Sequence, residues 1–484
     1  MKDMNLIFEK NNNTISSYKF NLTKNEKEII DHIPQNLIDL EEKVLPDVSE
    51  IEVVRHFIRL SNKNYGVDTG FYPLGSCTMK YNPKVNEKIA KNELFLNFHP
   101  YSDNKRVQGI LEVMYNCKED LKKITGMDEI TLSPCAGAHG ELTALFVINA
   151  YFKHKKENRP YILVPDSSHG TNPASASMAG FKVITVKSDS NGFVDLNDLR
   201  AKATEEVACF MLTNPNTLGL YEKNIEEIVK ICHSKDIQLY YDGANLNAIL
   251  GISRPGDTGF DAVHLNLHKS FSTPHGGGGP GAGPVGVKKH LSEFLPNENV
   301  YFENDTFYLK ENSKFSIGKV REFYCNFSVV LKAYIYIKTL GKDGLRKSGL
   351  LALLNANYLA TLLKEKFSLA TKDHIMHEFV ISLDKECHDY GITIMDFAKR
   401  ILDYGYHAPT VSFPLIMHNC LMIEPTETES KNTLEEFASV MKNILEEAKN
   451  SPDLLKNAPQ NTPIKRADEV MAARQPILKY TENF

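Results

Sequence analysis

The sequence predicts an α/β fold built on a mostly parallel sheet with helices on both faces. Short apolar runs rich in β-branched and aromatic residues recur from about residue 125 onward: YILV (161–164), VACFML (207–212), IQLYY (237–241) and DAVHLNL (261–267). Helical stretches such as NIEEIVKICHSKD (224–236) separate several of these runs. Alternation of strand and helix is typical of parallel strands that are covered by helices.

The pattern changes after residue 328, which predicts a second, smaller α/β domain. SVVLKAYIYIKTLG and GLLALLNANYLATLLKEKF have helical periodicity, whereas HEFVISL and PLIMHNCLMIE are typical of strands. A capping box from Thr433 to Glu436 predicts the start of the last long helix. We therefore divide the chain into an N-terminal extension (1–60), a large domain (61–328), a small C-terminal domain (329–450) and a polar tail (451–484).

Length and composition exclude several classes of function. The 484 residues carry a formal net charge of −5, and the pI is about 6.4, so no basic surface for nucleic acid is predicted. No apolar run reaches the length of a membrane span, and MKDMNLIFEKNNN at the N-terminus lacks the pattern of a targeting peptide. The eight cysteines form no C-x-x-C pair. We expect a cytoplasmic protein with reduced thiols, without a metal site and without nucleic-acid or membrane partners.

Chemically active side chains follow four of the predicted strands. In open α/β sheets, ligands bind outside the carboxyl ends of the strands. Taken singly, each residue has an ordinary explanation as a solvated lysine, a turn aspartate or a loop histidine. Their succession on consecutive strand ends predicts one shared site: His169 after the first strand, Asn216 and Thr217 after the second, Asp242 after the third, and His268 and Lys269 after the fourth.

The start of an upstream helix supplies a predicted phosphate site. LSPCAGAHGELTALFVINAYF (132–152) is a glycine-containing turn followed by a long apolar helix. The backbone N–H groups of Gly137, Ala138 and His139 would lie at the positive end of that helix, which favours a phosphate. The glycines that follow Lys269 would let the backbone approach a bound cofactor closely.

Pyridoxal phosphate is a cofactor whose chemistry needs all these groups. Its aldehyde forms a Schiff base with a lysine, which Lys269 can supply. A carboxylate beside the ring nitrogen keeps that nitrogen protonated, a part open to Asp242. His169 offers an aromatic plane over the ring, and Asn216 or Thr217 offers a donor to the phenolic oxygen. The sequence therefore predicts pyridoxal 5'-phosphate bound covalently to Lys269.

Several longer motifs resemble those of one enzyme family. GAHGE, SHGTNPAS, YYDGAN and NLHKSFSTPHGGGGPG occur in the order seen in fold-type-I pyridoxal-phosphate enzymes. YGVDTGFYPLGSCTMKYNPKVNE (65–87) is similar to a stretch of the P-protein of the glycine cleavage system, the decarboxylating glycine dehydrogenase. LPDVSEIEVVRHFIRLS, MIEPTETESK and RADEVMAARQPIL also resemble that family, so the resemblance covers nearly the whole chain.

The resemblance implies the lysine-bearing half of that enzyme, called subunit 2, which works with a separate subunit 1 in a complex with two copies of each. It implies that Lys269 carries the cofactor, that Asp242 pairs with the pyridinium and that His169 stacks on the ring. The turn at Gly137–His139 would meet the phosphate. The implied reaction is decarboxylation of glycine with transfer of the aminomethyl group to the lipoyl arm of the H-protein, which releases carbon dioxide.

The neighbours of Lys269 add further candidates. His268 and His275 are candidates for proton transfer, with His268 as the predicted catalytic member. FYPLGSCTMK (71–80) is a candidate for the wall that excludes larger substrates or for the lipoyl entrance.

Two alternatives stay open at this point. Another fold-type-I decarboxylase or an aminotransferase would share these motifs, and an aminotransferase would need an arginine such as Arg254 or Arg321 for a second carboxylate. A non-catalytic regulatory subunit could also keep the fold. The presence of Lys269 with Asp242 and His169 argues against that alternative.

Overall fold

The structure, a computed structural model, describes residues 5–10, 24–37, 46, 48–275 and 281–478. Most of the glycine run (276–279) that was predicted to approach a cofactor, together with Pro280, lies outside these residues. The described chain divides into two compact units, one at Val67–Ala458 and one at Met1–Gly66 with Pro459–Phe484. Among the described residues, no helix combines the length and the apolarity that crossing a membrane requires.

The α-helices of the described residues follow in chain order: α1 (Lys24–Asp31), α2 (Glu50–Ser61), α3 (Lys84–Ala90), α4 (Glu93–Leu96), α5 (Gln108–Thr125), α6 (Gly137–His154), α7 (Thr171–Met178), α8 (Leu196–Lys202), α9 (Ile225–His233), α10 (Leu267–Ser270), α11 (Phe327–Leu363), α12 (Asp384–Tyr390), α13 (Ile394–Asp403), α14 (Lys431–Asn450), α15 (Asp453–Lys456) and α16 (Glu469–Arg474).

The strands follow in the same way: β1 (Glu129–Thr131), β2 (Tyr161–Pro165), β3 (Lys182–Val186), β4 (Val207–Thr213), β5 (Gln238–Gly243), β6 (Ala262–Leu265), β7 (Val285–Val287), β8 (Asn299–Glu303), β9 (Thr306–Lys310), β10 (Ser368–Leu369), β11 (Phe379–Ser382), β12 (Thr410–Val411) and β13 (Cys420–Ile423).

A seven-stranded sheet in the order β1-β7-β6-β5-β4-β2-β3 forms the centre of the larger unit. The strands from β3 across to β6 are parallel, and β7 pairs antiparallel with both β6 and β1. Alternate residues of the central strands enter two different cores. Phe210 and Tyr241 pack into a core with α5 and α9, whereas Met211 and Tyr240 pack into a core with α6 and α7. The prediction of a mostly parallel sheet covered on both faces is therefore confirmed.

Two sequence-based boundaries were wrong. The strand predicted at 261–267 ends at Leu265, because Asn266 precedes the short helix α10. Lys269 therefore lies within a helical turn just beyond the strand. The capping box predicted at Thr433 lies inside α14, which begins two residues earlier because the Ser430 side chain accepts a hydrogen bond from the backbone of Thr433.

A four-stranded antiparallel sheet in the order β10-β11-β13-β12 has its own core against α12, α13, α14 and the second half of α11. Helix α11 reaches both sheets. Val330 and Tyr336 belong to the core of the large sheet, whereas Leu359 and Leu363 belong to the core of the small one. Between them Gly341 has φ 60° and ψ −173°, which interrupts the helix at a conformation that favours glycine.

A buried ion pair joins the two sheets. Lys80, which is 2% exposed, places its Nζ 2.8 Å from Glu427 Oε1 and donates to the backbone O of Ser270 at 2.9 Å. Asn247 and Ser348 complete the network by hydrogen bonding to Glu427. Because Ser270 follows Lys269 directly, the pair also fixes the backbone of the helical turn that presents Lys269.

We predict that Lys80→Met lowers the free energy of unfolding by about 3–5 kcal/mol, because it leaves the Glu427 charge buried without its cation. Lys84→Met is the matched control, since Lys84 pairs with Asp68 while its side chain is 58% exposed, and this variant should change stability by less than about 0.5 kcal/mol. Urea unfolding followed by far-ultraviolet circular dichroism measures both. Equal losses in the two variants would contradict the role given to the Lys80–Glu427 pair.

Candidate active site

A cavity of about 280 Å³ lies at the carboxyl ends of β4, β5 and β6, where the sequence predicts the site. Seven of the predicted residues line it: Lys269, Asp242, His169, His268, Thr217, Gly137 and Ala138. The cavity is also lined by residues that the sequence analysis did not single out: Ser76, Glu141, Thr171, Thr213, Pro215, Ala244, Asn245, His264, Asn266, His377 and Glu378.

Lys269 enters the cavity from α10. Its Nζ donates a 2.6 Å hydrogen bond to the backbone O of Ser76. Ser76 belongs to the FYPLGSCTMK segment and has φ 65°, which is unusual for a residue other than glycine. The amine is therefore held by a single backbone carbonyl from a strained loop.

Asp242, the penultimate residue of β5, is 4% exposed. Its carboxylate accepts from the backbone N–H of Ala244 at 3.1 Å and from Asn172 Nδ2 at 3.2 Å, and His264 Nε2 lies 3.5 Å away. Burial acts to raise the pKa of Asp242, but His264 and these hydrogen bonds outweigh burial and leave the pKa lowered. The cavity thus contains a buried anion at neutral pH.

His169 is a solvent-accessible residue of the cavity wall. Its Nδ1 accepts from the backbone N–H of Thr171 at 3.2 Å, and its ring packs edge-on against Phe413 at 5.5 Å. Burial by the surrounding protein lowers the pKa of His169, and Lys269 lowers it further against the opposing effect of Asp242. The ring is therefore neutral and aromatic at the cavity wall.

Helix α6 points its N-terminus into the cavity. Gly140 donates to the backbone O of Ala136 at 2.9 Å, so the N–H groups of Gly137, Ala138 and His139 precede the first intrahelical bond. Close packing at this point depends on glycine, because a Cβ at Gly283 would lie 2.0 Å from the backbone O of Ala136. The His139 ring itself turns toward Cys135, whose backbone N–H lies 3.2 Å from Nδ1, and only the backbone of His139 belongs to the helix start.

Thr217 and Asn216 occupy different places. Thr217 lines the cavity and donates through Oγ1 to the backbone O of Ser167 at 2.6 Å. Asn216 holds its own loop together, since Oδ1 accepts from Leu218 and Leu220 and Nδ2 donates to Gly192. Its side chain lines a separate pocket, so the structure does not bring it to Lys269.

The two histidines beside Lys269 are neutral. Their rings meet edge to face at 5.3 Å. Burial, together with the neighbouring histidine and Lys269, lowers the pKa of His268 to about 3. Burial and Lys269 lower the pKa of His275 to about 4. Both are consequently weak bases, and neither carries a proton to donate as an imidazolium at neutral pH.

Sequence reasoning missed the carboxyl groups that surround Lys269. Glu141, one turn into α6, accepts from Thr171 Oγ1 at 2.8 Å and Ser175 Oγ at 3.2 Å, and burial together with Asp242 raises its pKa to about 8. Glu378 lines the cavity from the small sheet. An acidic residue inside the apolar run of α6 was a visible signal for Glu141. Glu378 gave no such signal, because only the packing of the small sheet brings it to Lys269.

These residues fit pyridoxal phosphate. An amine, a buried carboxylate and the free N–H groups of a helix start line one cavity, and each matches one chemically distinct part of that cofactor. The buried Asn266 Oδ1 and His264 Nε2 have no hydrogen-bond partner among the described residues and leave polar capacity in the walls for a bound group.

Two solved structures share this fold. A glycine decarboxylase (P-protein) of the glycine cleavage system, in an inhibitor-bound form, matches with a TM-score of 0.73 at 20% identity and covers 88% of this chain and 100% of that chain. Glutamate decarboxylase from Lactobacillus brevis matches with a TM-score of 0.66 at 14% identity and covers 86% and 97%. The chain has the architecture of the fold-type-I pyridoxal-phosphate enzymes, as predicted.

The sequence comparisons are more specific. The glycine cleavage system P-protein family matches residues 21–310, and the glycine dehydrogenase C-terminal domain matches residues 348–468. A relative from Kosmotoga olearia is 58% identical over 94% of this chain and 95% of its own length. Another from Caldanaerobacter subterraneus is 54% identical over the full length of both. Both are named as probable glycine dehydrogenase (decarboxylating) subunit 2. The chain belongs to the glycine cleavage system P-protein family, which confirms the resemblance.

We predict that Gly283→Ala weakens pyridoxal phosphate binding about 5- to 30-fold, the loss of about 1–2 kcal/mol expected when a helix N-terminus is displaced from an anion. The added Cβ would overlap the backbone at Ala136 and move the start of α6. Gly109→Ala in α5, where a Cβ meets nothing within 4 Å, is the control and should bind normally. Fluorescence titration of the cofactor-free chain measures both, and unchanged affinity in Gly283→Ala would contradict the role of the helix start.

Proposed function

We propose that this chain is the catalytic subunit of a glycine decarboxylase that passes the aminomethyl group of glycine to the lipoyl arm of a carrier H-protein and releases carbon dioxide. Membership of the P-protein family and the names of relatives that match over the whole chain support this activity. The observation that carries the proposal is the convergence of Lys269, Asp242 and the start of α6 on one cavity.

The cofactor would be pyridoxal 5'-phosphate, held by a Schiff base to Lys269. Bound there, it supplies an electron sink for the pair left behind when carbon dioxide departs. Asp242 would hold the proton of the ring nitrogen, and the N–H groups of Gly137–His139 would hold the phosphate. His169 would lie against the ring face, and Thr217, which lines the cavity, would donate to the phenolic oxygen once its hydroxyl leaves the backbone O of Ser167. Asn216 is left out of this set because its side chain is engaged in its own loop.

Each of these residues has a task that follows from its surroundings. Asp242 stays anionic because its pKa is lowered, so it can keep a proton on a neighbouring nitrogen. Lys269 must give up its 2.6 Å hydrogen bond to the backbone O of Ser76 when it exchanges partners with an incoming amine. Ser76 and the residues behind it limit the space at this end of the cavity, in keeping with a substrate as small as glycine.

The partners follow from the family. Relatives are named as subunit 2, which implies a second kind of subunit. We propose two copies of each subunit, with the lipoylated H-protein as acceptor. The cytoplasm is the proposed location, and the eight free cysteines are compatible with a reducing compartment.

The aminotransferase alternative has little support. Arg254 is half-exposed and paired with Asp257 through Nε at 2.6 Å, and it does not line the cavity. Arg321 does not line the cavity either. The cavity therefore offers no arginine from these two positions for a second substrate carboxylate.

We predict that the holoenzyme with its partner subunit and lipoylated H-protein exchanges labelled bicarbonate into the carboxyl group of glycine, and that Lys269→Ala abolishes both this exchange and the cofactor's visible absorption band. The exposed Lys84→Ala is the control and should retain both. An absorption band without exchange in the unmodified enzyme would show a pyridoxal-phosphate protein with a different reaction.

A further inference from the structure

A second pair of carboxyl groups lies behind Lys269. Glu378 comes directly before β11, and Glu424 comes directly after β13. Because Phe379 pairs with Ile423 in this antiparallel register, the two glutamates are opposite neighbours at the end of the small sheet. Like charges opposite each other on adjacent strands destabilise a sheet, so the pair calls for an explanation.

The loop that holds Lys269 also holds both glutamates. Glu378 Oε2 accepts from the backbone N–H of Ser76 at 2.7 Å, and Glu424 Oε2 accepts from the backbone N–H of Thr78 at 3.0 Å. Asn245 Nδ2 donates to Glu424 Oε1 at 3.0 Å. Ser76 and Thr78 have φ of 65° and 52°, an unusual conformation in which the Ser76 N–H reaches Glu378 while its carbonyl reaches Lys269. Of the two acids, only Glu378 lines the cavity.

The surroundings favour a proton on this pair. Glu378 is 5% exposed and Glu424 is fully buried. Burial raises the pKa of both acids, and their mutual repulsion raises the pKa of Glu378 further, while Lys269 acts in the opposite direction. His377 Nε2 lies 3.7 Å from Glu378 Oε1, but burial and Lys269 lower the pKa of His377 to about 3, so it brings no positive charge. Burial also raises the pKa of Cys77, which interacts with both acids and therefore stays a neutral thiol.

Glu378 lines the cavity next to the buried His377. Both ring nitrogens of the buried His377 lack hydrogen-bond partners among the described residues. Glu378 Oε1 lies 3.7 Å from His377 Nε2, beyond hydrogen-bond range. A neutral carboxyl group that lines the cavity, with one oxygen fixed by the Ser76 N–H, is placed to donate a proton there.

The proposed reaction needs such a donor. When carbon dioxide leaves glycine, the electron pair of the broken C–C bond stays on the α-carbon. That pair forms a C–S bond to one lipoyl sulfur, the S–S bond breaks, and its electrons leave the second sulfur as a thiolate. The product dithiol arm requires one proton on that sulfur, so each turnover consumes one proton.

We propose that Glu378 is a catalytic general acid of this site, which donates its proton to the departing lipoyl sulfur, and that Glu424 acts as a positioning residue that keeps this proton in place. The inference rests on the proposed function. Glu378 regains its proton from solvent between turnovers. Neutral His268 and His275 cannot serve as the donor at neutral pH, since both have a low pKa.

A metal cation is the alternative to a shared proton at Glu378 and Glu424. The ligand atoms of His377, Glu378 and Glu424 lie within 4.8 Å of one another, a spacing that a metal ion could use. The positive charge of Lys269 and the N–H donors already bound to both carboxylates disfavour a metal ion here, while burial and the repulsion between the two acids favour the protonated pair. The experiment below separates the two.

The test compares Glu378→Gln, Glu378→Asp and Glu222→Gln in the complete holoenzyme. Gln keeps an acceptor for the Ser76 N–H and fills the same space, but it has no proton to give. Glu222 is the matched control, because it is a buried glutamate that also accepts from backbone N–H groups, with Val194 at 2.9 Å and Asn224 at 3.0 Å, outside the cavity. Thermal unfolding verifies that the three variants fold.

Three readouts follow. In Glu378→Gln, transfer to lipoylated H-protein should fall by about 100-fold or more, while bicarbonate exchange into glycine, which needs no net proton, stays within a few-fold of the control. Wild-type transfer should fall as pH rises through the raised pKa, because the neutral acid is lost, and Glu378→Asp should restore part of the rate and its pH dependence. Infrared difference spectra with isotope-labelled glutamate should show a neutral carboxyl band that Glu378→Gln removes.

If Glu378→Gln transfers the aminomethyl group to lipoylated H-protein as fast as Glu222→Gln does, the role of Glu378 is overturned. Intact bicarbonate exchange in the same variants would leave the proposed function in place. The absence of a neutral carboxyl band would also overturn the role of Glu378 as an acid. A divalent ion that elemental analysis finds in the wild type and not in Glu378→Gln would overturn that role in favour of a cation site. Loss of exchange in the wild type would overturn the proposed function itself, and the role in sulfur protonation with it.

Discussion

Although burial has the larger effect at each acid, the side chain of Lys269 contributes to the pKa of all four buried acids around the cavity. It acts to lower the pKa of Asp242 and Glu141 on the side of the large sheet and of Glu378 and Glu424 on the side of the small sheet. Burial opposes this effect at each of the four acids, and the balance differs. Asp242 remains an anion because hydrogen bonds and His264 help it, whereas the other three acids have raised pKa values. One lysine thus sits between a fixed negative charge and a set of neutral carboxyl groups.

The Ser76–Thr78 loop connects these groups through backbone hydrogen bonds. Its carbonyl at Ser76 holds Lys269, and its N–H groups at Ser76 and Thr78 hold the two glutamates of the small sheet. The nearby Lys80–Glu427 pair ties the same segment to Ser270, which directly follows Lys269. Lys269 Nζ and Glu378 are therefore linked through two hydrogen bonds to the backbone of one residue, Ser76.

The residues of the site fall into two groups, according to the sheet that carries them. Groups proposed to hold the cofactor come from the large sheet and its helices, where parallel strands and the start of α6 all end at one edge. The group proposed to move a proton comes from the small sheet. The two sheets have separate cores, and α11 contributes to both of them. Neutral histidines at 268, 275 and 377 separate the charged groups without adding cations.

The sequence by itself predicted the parallel sheet, the position of Lys269 and Asp242 at strand ends, and the helix start at Gly137. These features could be predicted because strand periodicity and the residues just after each strand are local properties. It misjudged the end of β6 and the start of α14, where Asn266 and Ser430 decide the boundary through short-range hydrogen bonds. It placed Asn216 and Thr217 together, although backbone bonding turns the Asn216 side chain away from the cavity. Only the tertiary structure decided that Glu378 and Glu424, more than a hundred residues from Lys269, share its environment, since burial and charge repulsion exist only once the two sheets pack.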